Sequence, residues 1–235
     1  GSHQNYGAPK ITEMLHRQGE SIAEKTVGNY MRQMGIKAQW VKPYTVTTID
    51  SDFNSELQNI LDEQFNLSRP DAVWVSDITY IWTYNGFVYL TSIMDLYSRK
   101  IIAWVLSQSL EAIHVVECVN KAKQMRNVTS PLVFHSEFVS QAFQKVTEGM
   151  INSYSKKAYP WDNACIESFH SLLKREWLNR FKIFDYKHAY RLVFEYIETF
   201  YNTVRIHSHC GYLSPDEYEK QYRNKLLELE QKLAG

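Results

Sequence analysis

The chain has 235 residues, enough for one large domain plus a small one with a real core. Apolar residues make up 44% of it, which argues against a disordered chain, and no stretch approaches the roughly 18 consecutive apolar residues of a membrane-spanning helix. Lys plus Arg and Asp plus Glu balance at 26 each, which argues against a generic polyanion binder, and three scattered cysteines (Cys118, Cys165, Cys210) argue against a disulfide framework or a zinc site.

Gly1-Ser2-His3 reads as the remnant of a cleaved tag and is left out of the fold reading. Residues 4–36 read as a small helical module. Ala8 to Gln18 carries Ile11, Met14 and Leu15 at helical spacing, and Gly19 ends it. Ser21-Ile22-Ala23-Glu24 reads as a capping box that opens a second helix to about Met34, with Val27, Tyr30, Met31 and Met34 on its apolar face. Lys25, Asn29 and Arg32 lie off that face. The pair fits a helix-turn-helix that lays its second helix in a DNA groove, or an ordinary helical hairpin.

Residues 37–71 read as a connector, with one short helix near Ser55 to Phe65. From 72 to 235 the pattern changes. Strands are expected over Ala72–Trp82, Phe87–Met94 and Lys100–Ser107, the first two joined by a turn at Asn85-Gly86. A helix over Leu110–Met125 places Leu110, Ile113, Val116, Val119 and Ala122 on one stripe. Short strands follow at Pro131–Ser136 and Met150–Tyr154 with a helix between them, then helical stretches at about 163–180, 186–204 and 215–233. This order predicts an α/β fold with a mixed sheet flanked by helices.

Two acidic signals stand out. Asp77 sits mid-strand in Val73-Trp74-Val75-Ser76-Asp77-Ile78-Thr79-Tyr80-Ile81, where a charge is costly unless it is paired, bound to metal or open to solvent. Asp95, at the end of the second strand, is expected to cap the turn and to pair with Arg99. The other signal is the helix that starts at Asp162-Asn163, with Ile166, Phe169, Leu173 and Trp177 as its buried stripe. Asn163, Glu167, Ser171 and Lys174 fall on another face, so a carboxylate for a metal and a lysine for a phosphate could share it. This helix lies inside a basic stretch: residues 155–191 hold eight Lys or Arg, among them Lys156, Lys157, Lys174 and Arg175, against four acids. His207-Ser208-His209-Cys210 lacks the usual spacing of a zinc site.

Several blocks, in order, resemble the second-reading-frame transposases of bacterial insertion sequences that move by a copy-out, paste-in route. Tyr6-Gly7-Ala8-Pro9-Lys10-Ile11 with Met31-Arg32-Gln33-Met34-Gly35-Ile36 resembles their small DNA-binding module. Trp74 to Ile81, Gly86, Tyr89-Leu90 and Asp95 to Lys100 resemble the opening of a retroviral-integrase-like core. Asp162-Asn163-Ala164, Glu167-Ser168-Phe169 and Lys174 resemble its last catalytic helix, and Tyr201-Asn202, Arg205, His207, Gly211-Tyr212 and Ser214-Pro215 the C-terminal signature. The resemblance implies a ribonuclease-H-like core and an Asp, Asp, Glu triad that holds two divalent ions, magnesium or manganese, for in-line displacement at phosphorus. Asp77 matches the first carboxylate and Glu167 the third. It further implies a cytoplasmic, nucleoid-associated bacterial protein that acts as a homo-oligomer on terminal inverted repeats and target DNA, with no membrane partner. An upstream segment carrying a larger helix-turn-helix and a coiled coil is also expected.

The second position departs from the pattern. The family reads His-Ser-Asp-x-Gly-x before a Gln or Glu, an aromatic, any residue and Ser, whereas His135-Ser136 here runs directly into Glu137-Phe138-Val139-Ser140. Either four residues, the Asp among them, are absent, or Glu137 replaces the Asp in place; the spacing to Glu167 favours the gap. The expected function is a DNA transposase that cleaves and joins strands at element ends, impaired or inactive if that Asp is lost. The alternatives are a DNA-binding protein with a dead core and a ribonuclease-H-like nuclease.

Overall fold

A computed structural model describes residues 4–38, 67–128, 130–154 and 163–234. The short helix expected near 55–65, most of the connector, and Lys156, Lys157 and Asp162 lie outside the described residues.

Five strands form one sheet in the order β3-β2-β1-β4-β5. β1 (Val73–Thr83) and β2 (Gly86–Asp95) pair antiparallel, as do β2 and β3 (Ile101–Ser107), while β4 (Val133–Ser136) and β5 (Ile151–Tyr154) run parallel to β1. The hairpin turn is Tyr84-Asn85, one residue earlier than expected. Thr83 Oγ1 donates to Gly86 O at 2.8 Å and accepts from Asn85 N at 3.2 Å, and Gly86 opens β2 with a φ of 109°, which favours glycine.

Alternation along β1 divides the core in two. Val73, Val75 and Ile81 face one layer with α5 (Ala164–Glu176) and α6 (Tyr186–Tyr196), where Ile166, Phe169, Leu173, Leu192 and Val193 are buried. Trp74 faces the opposite layer, closed by α3 (Ala112–Met125) and α4 (Gln141–Val146) through Val115, Cys118, Val119, Ala122 and Phe143. The stripe expected for α3 is therefore rotated. Leu110 and Ile113 are exposed, because the helix starts only at Ala112 and turns its Val115–Cys118–Ala122 row inward.

α1 (Ala8–Arg17) and α2 (Glu24–Gln33) form the expected helical pair, joined at Gly19 with a φ of 90°. The capping box does not form. Ala23 is the N-cap, its carbonyl accepting from Val27 N at 3.1 Å, while Ile22 O contacts His16 Nε2 at 2.7 Å. Val27 and Met31 are buried, but Tyr30 and Met34 are exposed, so the apolar face is half as wide as expected.

This pair rests on the C-terminal part of the chain. Ile206 N donates to Tyr6 Oη at 3.1 Å, Lys10 Nζ to Ile206 O at 3.0 Å, and Arg17 reaches Tyr212 O at 3.0 Å and Glu217 at 3.2 Å. α6 ends in a π-helical turn over Ile197–Tyr201, after which Asn202 bonds both backbone groups of Ile101. Arg205 forms a buried pair with Glu176. Of the signature residues, Asn202 thus ties the C-terminal segment to β3 and Arg205 ties it to α5, while His207 N donates to Leu213 O within the segment. The last helix, α7 (Pro215–Ala234), is anchored by Glu219, which accepts from Arg126 at 2.6 Å and from Ser98 at 2.8 Å. No described helix is long and apolar enough to cross a membrane.

Candidate active site

Three elements bring the acidic residues together. β4 pairs with β1 only over Val73–Val75, with Val75 opposite His135. Glu137 follows the end of β4 directly and lies within electrostatic reach of Asp77 on β1. The same short pairing leaves the rest of that β1 edge to α5, whose Glu167, His170 and Lys174 recur at helical spacing on one face.

The charges report this arrangement. Glu137 and Glu167 both reach solvent. Desolvation nonetheless raises the Glu167 carboxyl above its usual value, and the charges of Asp77 and Glu137 push it the same way. Glu137 is raised by desolvation and then by Asp77. Lys174 is lowered by burial, while Asp77 acts in the opposite direction. Its Nζ lies 4.4 Å from the centre of the Tyr80 ring, so it is a half-buried lysine on an aromatic face rather than a free surface charge.

His170 was not singled out by sequence reasoning. It is buried on α5, with Nδ1 3.4 Å from Asp77 Oδ2 and Nε2 3.3 Å from Ser92 Oγ. Ser92 is the cross-strand partner of Asp77, so the imidazole spans a register pair of the sheet. The available signal was its place three residues after Glu167, beside the apolar stripe. Of the polar face expected on α5, Ser171 points to solvent and Asn163 is buried.

The remaining candidates are spread out. Arg175 acts electrostatically on Lys10, which places it on the side of α5 where the N-terminal helices dock. Lys25, Asn29 and Arg32 are exposed on α2, with Arg32 Nη2 donating to Asn29 Oδ1 at 2.6 Å. Asp95 caps its turn as expected, accepting from Tyr97 N at 2.8 Å, and also accepts from Asp71 N at 2.6 Å. His207 and Cys210 serve packing: Cys210 Sγ meets Ser98 O at 3.3 Å, and burial lowers His207 well below the usual histidine value.

Among the described residues, no three His, Cys, Asp or Glu side chains converge into a ready chelate. The donor chemistry still fits a divalent ion. Asp77, Glu137 and Glu167 offer hard carboxylate oxygens, and two of them carry like-charge repulsion in a partly desolvated place that a cation would relieve.

Comparison with known proteins gives this geometry its family. Residues 68–159 match an integrase core domain, a stretch that holds Asp77 and Glu137, and residues 148–215 match a second integrase core domain family, which holds Glu167, Lys174 and Arg205. Residues 1–44 match an HTH-like domain. The transposase of insertion sequence element IS904 from Lactococcus lactis is 34% identical over 221 residues, covering 92% of this chain and 87% of the relative. Transposase InsF of insertion sequence IS3A from Escherichia coli K12 is 32% identical over 226 residues, covering 94% and 78%. The HTLV-2 integrase catalytic core domain, solved in complex with magnesium, superposes with a TM-score of 0.48 at 14% identity, covering 64% of this chain and 97% of that one. An HTH-like pair, an integrase core and relatives matched along most of their length establish that the chain belongs to the insertion-sequence transposases, DNA phosphoryl transferases with an integrase-like core.

Proposed function

We propose that Asp77, Glu137 and Glu167 form the divalent-ion site for DNA strand cleavage and strand transfer, with Glu137 replacing the expected Asp in place. The observation that carries this reading is that Asp77 on β1 acts on Glu137 after β4, and that both act on Glu167 of α5. A glutamate directly after β4 starts from the backbone position that an aspartate there would use, although its side chain is one methylene longer. The displaced carboxyl group leaves the site slower than one with Asp, since a misplacement of about 1 Å can cost on the order of a hundredfold.

Each residue has a distinct task. The three carboxylates would hold magnesium or manganese, which would supply Lewis-acid polarisation of the phosphoryl group. His170 fixes the rotamer of Asp77 against Ser92. Lys174, steadied by Tyr80, offers a point charge to a backbone phosphate. α2 presents Lys25, Asn29 and Arg32 to the terminal repeat, while 4–36, 37–71 and 72–235 serve as binding module, connector and catalytic core. Water attacks first at the element end and expels a 3′-oxygen, and the freed 3′-hydroxyl then attacks a second phosphodiester, expelling its 3′-oxygen in turn, within a homo-oligomeric assembly.

The test is cleavage of a terminal-repeat duplex in magnesium or manganese by the chain and its Glu167→Gln and Asp77→Asn variants. Both variants should lose on the order of a hundredfold in rate while still binding the duplex. Cleavage unchanged in either variant would refute the assignment.

A further inference from the structure

We propose that the exposed aromatic face of the β1–β2 hairpin is a stacking platform for unpaired nucleobases of the DNA strand leading away from the acidic site. The inference rests on that site acting on DNA, and adds a binding surface that the carboxylates do not use.

The face is built by strand alternation. Tyr80 and Trp82 point to one side of β1, and Phe87 is the register partner of Trp82 on β2. Tyr84 at the turn and Phe184 beyond α5 extend the row. All five rings are at least half exposed, from 50% for Phe87 to 60% for Tyr80. Contiguous exposed apolar surface of this kind marks a binding site.

The rings are ordered against one another. Tyr80 and Phe87 have centroids 5.4 Å apart, Trp82 and Tyr84 5.1 Å, and Tyr84 and Phe184 5.7 Å with planes inclined by only 25°. Tyr84 N donates to Ile183 O at 3.0 Å, which ties the hairpin tip to the Phe184 segment. The platform is therefore preorganised, and a ligand need not pay the full entropy of arranging it.

Three features point to nucleic acid as the occupant. Every large apolar side chain in the row is a ring, and aromatic faces stack on any base whatever its sequence. Cations border the row: Lys174 sits over Tyr80, and Lys182 and Lys187 are exposed on either side of Phe184. A symmetric pairing of two copies through this face would bring those like charges together. Alternation puts the row on the opposite face of β1 from Asp77, and Lys174, which shares a face of α5 with Glu167 and stands 4.4 Å from the Tyr80 ring centre, joins the two sides. At about 3.3 Å of rise per strand residue, Tyr80 lies roughly 10 Å along β1 from Asp77, about three nucleotide steps of a DNA strand.

The experiment measures binding without divalent ions, so it is independent of catalysis. Two fluorescent probes are compared: a blunt duplex, and the same duplex with an unpaired oligothymidine arm. Trp82→Leu plus Phe87→Leu keeps apolar bulk and removes two rings. The variant should bind the armed duplex about fivefold or more weakly, with less than about a twofold change on the blunt duplex. Unchanged binding of the armed probe, or equal loss on both probes, would overturn the proposal. So would a concentration-dependent dimer of the chain that the double variant dissolves. If the double variant melts at a lower temperature, Tyr84→Leu at the exposed tip replaces it with the same expectations. Failure of the carboxylate assignment would appear separately, as cleavage retained by Glu167→Gln with these affinities untouched.

Discussion

Two glutamates on one helix, Glu167 and Glu176, show how the same residue type serves opposite ends. Glu176 is buried at the C-terminal end of α5, and both its oxygens are satisfied: Arg205 Nη2 donates to Oε1 at 2.7 Å, Arg205 Nε to Oε2 at 2.7 Å, and Tyr196 Oη to Oε2 at 2.8 Å. Glu167, near the N-terminal end, is open to solvent and faces Asp77 and Glu137, charges of its own sign. The first arrangement stores stability and the second withholds it. A solvent-open carboxylate held near two charges of its own sign points to a role other than folding.

The widest separation between the two comes from removing each charge. Glu176→Ala should cost about 3–5 kcal/mol in denaturant unfolding, because it strands the Arg205 guanidinium in the core. Glu167→Gln should leave the unfolding midpoint unchanged or higher. Equal destabilisation by both would show that Glu167 is structural after all.

His170 sharpens the comparison, since it is buried like Glu176 yet touches the acidic site. His170→Ala should slow strand cleavage about tenfold and weaken the dependence on magnesium concentration, a loss of positioning that unfolding alone would not produce. His170→Asn, which keeps a donor near Asp77, should recover part of the rate. If stability falls but rate and ion dependence in the folded protein stay the same, the histidine only packs.

Asp95 gives the smallest effect and a pH signature. Burial raises its carboxyl from 3.8 to about 7, with Glu219 and Asp71 adding to the rise and the Asp71 amide and Arg126 opposing it. The folded state therefore keeps a proton that the unfolded chain releases, and Asp95 contributes most at low pH. That contribution declines as pH climbs from the ordinary carboxylate value to about 7. Asp95→Asn should flatten the pH dependence of unfolding across that window. A slope identical to the parent would show that Asp95 is already ionised throughout.

Much of this fold is legible in the sequence itself. Alternation in Val73 to Ile81 and the glycine after Asn85 exposed the hairpin, and the order of elements fixed an α/β core with its acids on β1 and α5. What remained hidden depended on three-dimensional pairing. Nothing in the chain shows that β4 pairs with β1 for only three residues, which is what opens the edge where Lys174 meets Tyr80. His170 is hidden in the sequence because its value lies in reaching Asp77 and Ser92, on two other elements. Ser21 looked like a cap because side-chain type does not reveal which carbonyl begins the helix. Glu176 and Arg205, 29 residues apart, read as a surface charge and a motif letter until both were found buried together.

The role of Glu137 separates a replaced carboxylate from a lost one, and a single assay addresses it. Cleavage of a terminal-repeat duplex in manganese is compared for the parent chain, Glu137→Gln, and a chain with Asp-x-Gly-x inserted after Ser136. The account predicts slow cleavage by the parent, on the order of a hundredfold less by Glu137→Gln, and faster cleavage by the chain with the insertion. Equal rates for the parent and Glu137→Gln, or cleavage by the inserted chain alone, would contradict it.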